Sequence, residues 1–107
     1  MSILVIAEHD NTNLKGSTFN TVTAACALNG DVHLFVAGSE ISSVLNESQT
    51  LDGVSKIISC DNETYANFIA EDLSSLIVSI SESYTHILAP ATTFGKNLMP
   101  RVSAKLD

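Results

Sequence analysis

The chain has 107 residues, 45% of them apolar and 16% charged. That composition is globular, too apolar for a disordered tail, and the length suffices to bury a core. Five basic residues against twelve acidic ones give a net charge of −7. With the basic residues scattered, neither nucleic acid nor an anionic membrane surface is an expected partner.

Ile3-Leu-Val-Ile-Ala7 is a short apolar run with β-branched residues, the pattern of a strand buried on both faces. Glu8 to Lys15 is a polar loop. Gly16-Ser17 then opens a helix with Ser17 as its N-cap, and Phe19, Val22 and Cys26 supply its apolar stripe. Gly30 is expected to end it in the left-handed conformation. A second strand covers Val32 to Ala37. A weaker helix follows Gly38-Ser39, with Ile41, Val44, Leu45 and Leu51 at helical spacing and Gly53 closing it.

Lys56 to Cys60 reads as the third strand. Asp61-Asn62 supplies a cap and Glu63 a favourable first-turn charge. Tyr65, Phe68, Ile69, Leu73, Leu76, Ile77 and Ile80 share one face of a single helix. Thr85 to Ala89 is the fourth strand. The last helix begins near Lys96, which places Pro100 in its first turn, where no intrahelical donor is needed. Strands alternating with helices give an α/β fold: an open parallel sheet in the order 3-2-1-4 with helices on both faces. A fifth strand is expected to follow, so residues 1–107 read as one α/β domain of a longer chain.

Cys26 and Cys60 lack the C-x-x-C spacing and read as small buried apolar side chains. No apolar run reaches membrane-span length, and no basic flank marks a targeting segment. In open parallel sheets ligands gather at the carboxyl ends of the strands. There the sequence offers Glu8-His9-Asp10 and, after the fourth strand, Thr92 to Asn97. Thr93, Gly95 and Lys96 are weak candidates for holding a phosphate. No G-x-G-x-x-G or G-x-x-x-x-G-K-[ST] accompanies them, and a capped helix start accounts for them equally. Glu8-His9-Asp10 has no zinc-ligand spacing and reads as a solvated turn. No catalytic centre and no metal site is expected. Glu8, Pro100 and Arg101 are assigned structural roles, with Arg101 expected to pair with Glu8.

Two segments carry a resemblance. Leu4-Val-Ile-Ala-Glu-His-Asp-Asn11, running on through Leu14-Lys15 and Thr18 to Ala25, resembles the start of the electron transfer flavoprotein alpha subunit. Gly30-Asp-Val-His33 and Val36-Ala-Gly38 continue it. Thr92-Thr-Phe-Gly-Lys-Asn-Leu-Met-Pro-Arg-Val102 resembles the same family's T-x-F-G-K-x-x-x-P-R-V segment. The family implies an N-terminal domain similar to adenine-nucleotide-binding α/β folds. It implies a heterodimer with a beta subunit that takes electrons from dehydrogenases, such as acyl-CoA dehydrogenases, and passes them to a quinone oxidoreductase. FAD is implied for the full-length protein, held mostly by a C-terminal domain, and none is expected on these residues alone. The resemblance implies a bacterial cytoplasmic or mitochondrial-matrix location, without direct membrane insertion. The domain is then structural and subunit-interacting rather than an enzyme. The competing reading is an adenine-nucleotide-binding module of the universal-stress type, which needs a glycine-rich phosphate loop after the fourth strand; only Gly95 is there.

Overall fold

The structure is a computed structural model that describes residues 1–106. Strand β1 (Ser2–Ile6) is followed by helix α1 (Gly16–Cys26), strand β2 (Asp31–Gly38) and helix α2 (Ser42–Ser48). Strand β3 (Val54–Asp61), helix α3 (Ala70–Ile80), strand β4 (His86–Leu88) and helix α4 (Thr93–Leu106) complete it. The four strands form one sheet in the order β3-β2-β1-β4, and every neighbouring pair is parallel.

The period of two in a strand sends alternate side chains to opposite faces. Ile3 and Val5 of β1 join Val22 and Ala25 of α1 and Val44 of α2. Leu4 and Ile6 join Leu73 and Ile77 of α3 and Leu98 and Val102 of α4. Helices therefore cover both faces, as the continuous apolar run of β1 requires. Cys26 and Cys60 are half-buried free thiols, one packed against each core, and so are less enclosed than expected.

Three expectations for α1 and its ends are corrected. Residue 17 is not the cap of α1: the N-cap position is Lys15, without a side-chain bond, and the Ser17 hydroxyl instead serves Glu8. The stripe of α1 is turned as well. Thr18 and Thr21 are buried with Val22 and Ala25, while Phe19 is 39% exposed. The cause is Thr18, whose hydroxyl bonds both main-chain groups of Glu8. Asn29 rather than Gly30 takes the left-handed position, at φ 60°. Gly30 is needed for closeness instead, since a Cβ there would lie 2.7 Å from the Met1 carbonyl oxygen.

The Tyr65–Ile80 stripe is not one helix. Asn62 caps a 3₁₀ turn at Glu63–Tyr65, its Oδ1 accepting the Thr64 N–H at 2.9 Å. Phe68 then enters the left-handed region at φ 55°, and α3 begins at Ala70. Tyr65, Phe68, Leu73, Leu76, Ile77 and Ile80 nevertheless all reach the same core. Only Ile69 of the stripe points outward, 52% exposed. Burial, not helical spacing, holds the set together.

Helix α4 starts before Lys96, so Pro100 lies in its interior rather than in its first turn. Proline donates no N–H, and its ring opposes the carbonyl four residues back, an intrinsic cost of about 3 kcal/mol. Pro100 and Lys96 are both exposed, so the defect faces solvent while buried Leu98 and Val102 hold the other side.

Ile77 is fully buried at the centre of the α3–α4 core. Ile77→Ala should destabilise the chain by about 2–5 kcal/mol in urea unfolding, the usual cost of a truncated core aliphatic.

Candidate functional site

Parallel pairing of β1 with β4 brings the residues after both strands to one end of the sheet. Glu8 follows β1 there, and Pro90 to Thr92 follow β4. The Glu8 carboxylate accepts the Ser17 hydroxyl at 2.7 Å and the Thr92 hydroxyl at 3.0 Å, both on Oε1. Its main chain is held equally firmly. The Glu8 N–H donates to Thr18 Oγ1 at 2.8 Å, and its carbonyl accepts the Thr18 hydroxyl and the Lys15 N–H, each at 2.9 Å.

One half-buried carboxylate thus joins the loop after β1, the first turn of α1 and the residue before α4. It lies by the starts of both helices, where the partial positive charge of free amides favours an anion. Hydrogen bonds to a charged acceptor contribute about 1.5–3 kcal/mol each, more than neutral ones. The same charge would repel a phosphate brought to this end of the sheet.

Gly95 is buried in the first turn of α4. A side chain there would overlap the Pro90 carbonyl oxygen, so glycine lets the helix settle on the end of the β4 segment. Thr93 and Lys96 are exposed. An open cleft of about 390 Å³ lies between α1 and the end of β4, with Ser17, Asn20, Thr21, Leu88, Ala91 and Thr92 on its walls. Neither Gly95 nor Lys96 lines it.

The expected pairing of Arg101 with Glu8 does not form. Arg101 lies two turns along α4 and meets Glu71 of α3 at 3.3 Å; Lys105 joins the same carboxylate at 2.9 Å. All three are at the surface. The Lys105 ammonium, then the Arg101 guanidinium, holds the Glu71 carboxyl below its ordinary range. Helix α4 packs along α3, which turns this face away from the strand ends.

The three residues of Glu8-His9-Asp10 have three different surroundings. Asp10 behaves as the expected turn residue: its Oδ1 accepts the Thr12 and Asn13 N–H groups at 3.0 and 2.7 Å. Those bonds hold its carboxyl below the usual value. His9 does not belong to a solvated turn. It is 4% exposed, its Nε2 lies 2.8 Å from the Ala37 carbonyl oxygen, and its Nδ1 accepts the Asn11 N–H at 3.0 Å. Sequence reading also passed over Thr18, Asn11 and the Thr92–Glu8 bond. The spacing within the loop gives no sign of contacts to β2 and to the segment before α3.

The other histidines lie elsewhere. His33 Nδ1 is 2.8 Å from the Tyr84 hydroxyl, and burial pushes that phenol's pKa up. His86 is exposed. Among the described residues no group of three His, Cys, Asp or Glu side chains converges as a metal site. No helix among them is long and apolar enough to cross a membrane.

Comparison with known proteins adds a family. The profile of the electron transfer flavoprotein domain matches residues 3–107. The chain is 49% identical over 107 residues to the electron transfer flavoprotein subunit alpha of Pseudomonas aeruginosa, covering 100% of this chain and 35% of that protein. It is 48% identical over 107 residues to the subunit alpha of Bradyrhizobium diazoefficiens, 100% of this chain and 34% of that one. The mitochondrial subunit alpha of Dictyostelium discoideum is 40% identical over 112 residues, with 97% and 32% covered. The chain spans about a third of the length of these curated relatives.

The geometry separates the two glycine and arginine positions of the α4 segment. Gly95→Ala should destabilise the fold by about 1–3 kcal/mol in urea unfolding, because backbone must move to admit one methyl group. Arg101→Ala removes only a surface ion pair, so its effect in the same measurement should stay within about 1 kcal/mol.

Proposed function

The chain belongs to the electron transfer flavoprotein family, and we propose that it forms the structural, subunit-interacting N-terminal domain of an alpha subunit. The complete protein is then a heterodimer with a beta subunit that carries electrons on FAD. Its donors are dehydrogenases, acyl-CoA dehydrogenases among them, and its acceptor is a quinone oxidoreductase. Its place is the bacterial cytoplasm or the mitochondrial matrix. This domain carries no catalytic centre of its own.

The observation that favours a scaffold is the Glu8 carboxylate between Ser17 and Thr92. In sheets of this kind nucleotides bind at the carboxyl ends of the strands, with phosphates on glycine-rich turns and helix amides. Here an internal anion lies at that place, and the hydroxyls nearest it are already donating to it. Gly95 is filled by the Pro90 carbonyl rather than left open as a cradle. The described residues therefore do not fit a flavin dinucleotide or an adenine nucleotide. We assign the flavin contacts to parts of the alpha subunit outside these residues, and derive no electron-transfer step from them. When bound there, FAD supplies the electron-carrying chemistry.

The reading is tested on the chain and on the complete heterodimer. The purified chain should show no flavin absorption after gel filtration and no heat of AMP, ATP or FAD binding in calorimetry. Lys96→Ala in the complete heterodimer should leave dehydrogenase-linked electron transfer within about twofold of wild type. Flavin retained by the chain, or nucleotide binding abolished by Lys96→Ala, would replace the scaffold with the nucleotide-binding module.

A further inference from the structure

Among the described residues, four other than glycine adopt positive φ. Three of them fall one apiece in the three loops that leave the carboxyl ends of consecutive strands. Asn11 (φ 73°) follows β1, Glu40 (φ 54°) follows β2, and Phe68 (φ 55°) lies between β3 and α3. Such conformations are uncommon outside glycine, and they persist only where surrounding contacts over-determine them.

The Glu40 amide is held by Asp61, while the contacts that join the three loops to one another converge on His9 and Asn11. The Ala37 carbonyl can only accept, so His9 Nε2 carries a proton and donates to it at 2.8 Å. The Asn11 N–H can only donate, so Nδ1 is unprotonated and accepts from it at 3.0 Å. Only the neutral Nε2–H tautomer satisfies both. The ring also meets Phe68 edge-to-face, with centroids 4.9 Å apart. The Asn11 side chain completes the clamp. Its Oδ1 accepts the Ser39 N–H at 2.9 Å, and its Nδ2 donates to the Ala66 carbonyl at 3.0 Å. One histidine and one asparagine thereby fasten the β1 loop to both other loops.

We infer that His9 is a proton-sensitive latch: neutral, it holds the three loops together at this end of the sheet; protonated, it lets the Asn11 loop go. The reason is the opposition of donors. A second proton must go to Nδ1, where it faces the Asn11 N–H and replaces an acceptor with a donor. The Asn11 turn then has to move, and it carries the bonds to Ser39 and Ala66 with it.

The charged surroundings do not oppose this. Asp10 is the carboxylate whose field reaches the ring and favours a proton. From the β2 turn the ring is faced by Ala37 and Gly38, and from the segment before α3 by Phe68. The carboxylates of those elements are directed elsewhere. Asp61 accepts the Glu40 and Ile41 N–H groups, while Glu40 and Glu63 are exposed. Burial is the larger influence and lowers the His9 pKa; the Ala37 bond and Asp10 raise it in part.

The sign of the linkage follows. A histidine whose folded pKa is depressed binds its proton more readily in the unfolded chain. Its contribution to stability is fully present above its unfolded pKa of about 6.5. It is lost as pH falls from there toward the lower folded value, the window in which the latch opens.

Nitrogen-15 NMR of the unmodified chain, titrated from pH 8 downward, tests this without a variant. At neutral pH the His9 nitrogens should report the Nε2–H tautomer, and the ring should titrate below the ordinary histidine value of about 6.5. The Asn11 and Ser39 amide shifts should move with the same midpoint as the ring. His9→Gln, which keeps a donor for Ala37 but cannot titrate, should remove that midpoint from the Ser39 amide. An Nδ1–H tautomer at neutral pH, or ring titration that leaves Asn11 and Ser39 unmoved, would overturn the latch. The experiment concerns neither flavin nor nucleotide, so it stands or falls apart from the scaffold reading.

Discussion

The rest of this structure depends on β1 lying between β2 and β4 with both of its faces buried. Ile3, Leu4 and Val5 are inaccessible to solvent, and parallel pairing on each side fixes where the chain must emerge. Emergence between two neighbours sends the next residues to different partners. Glu8 turns to Thr92 beyond β4, and His9 turns to Ala37 of β2. Two adjacent polar residues thus serve opposite sides of the strand. A register slip in β1 would displace both sets of contacts together, because each is anchored to the same extended segment.

Much of the frame was legible in the residues. The apolar runs at Ile3–Ala7 and Val32–Ala37 carry the parallel-sheet pattern, and alternation with helices leads to the observed order. Gly53 was expected to close the second helix, but α2 ends at Ser48 with Gln49 as a right-handed cap, and Gly53, at φ 88°, shapes the turn before β3 instead. What was not legible depends on partners distant in sequence. Helical spacing over Tyr65–Ile80 is compatible with one helix, but the contact between Phe68 and His9 favours a break. Thr18 looks like a solvent-facing helix residue until its bonds to Glu8 are seen. A helix starting near Lys96 would place Arg101 by Glu8; the earlier start of α4 turns Arg101 toward Glu71.

The strand-end site shows why a fold does not by itself assign a function. This end of an open parallel sheet is a common place for a nucleotide, and the family resemblance brings a flavin to mind. The residues present satisfy one another instead. The Glu8 carboxylate takes up the Ser17 and Thr92 hydroxyls that a phosphate could otherwise use, and Gly95 accommodates backbone rather than ligand. In the terms of chain architecture, a binding crevice and a structural seam differ here by the charge of one side chain and the two hydroxyls that donate to it.

The Glu8–Thr92 bond fastens β1 to the β4–α4 segment. A double-mutant cycle on stability, using Glu8→Ala, Thr92→Val and both together, measures it most directly. A coupling of about 1–2 kcal/mol is expected, because the two hydrogen-bonding groups lose their interaction only once. Additive effects, with coupling within about 0.3–0.5 kcal/mol of zero, would contradict it.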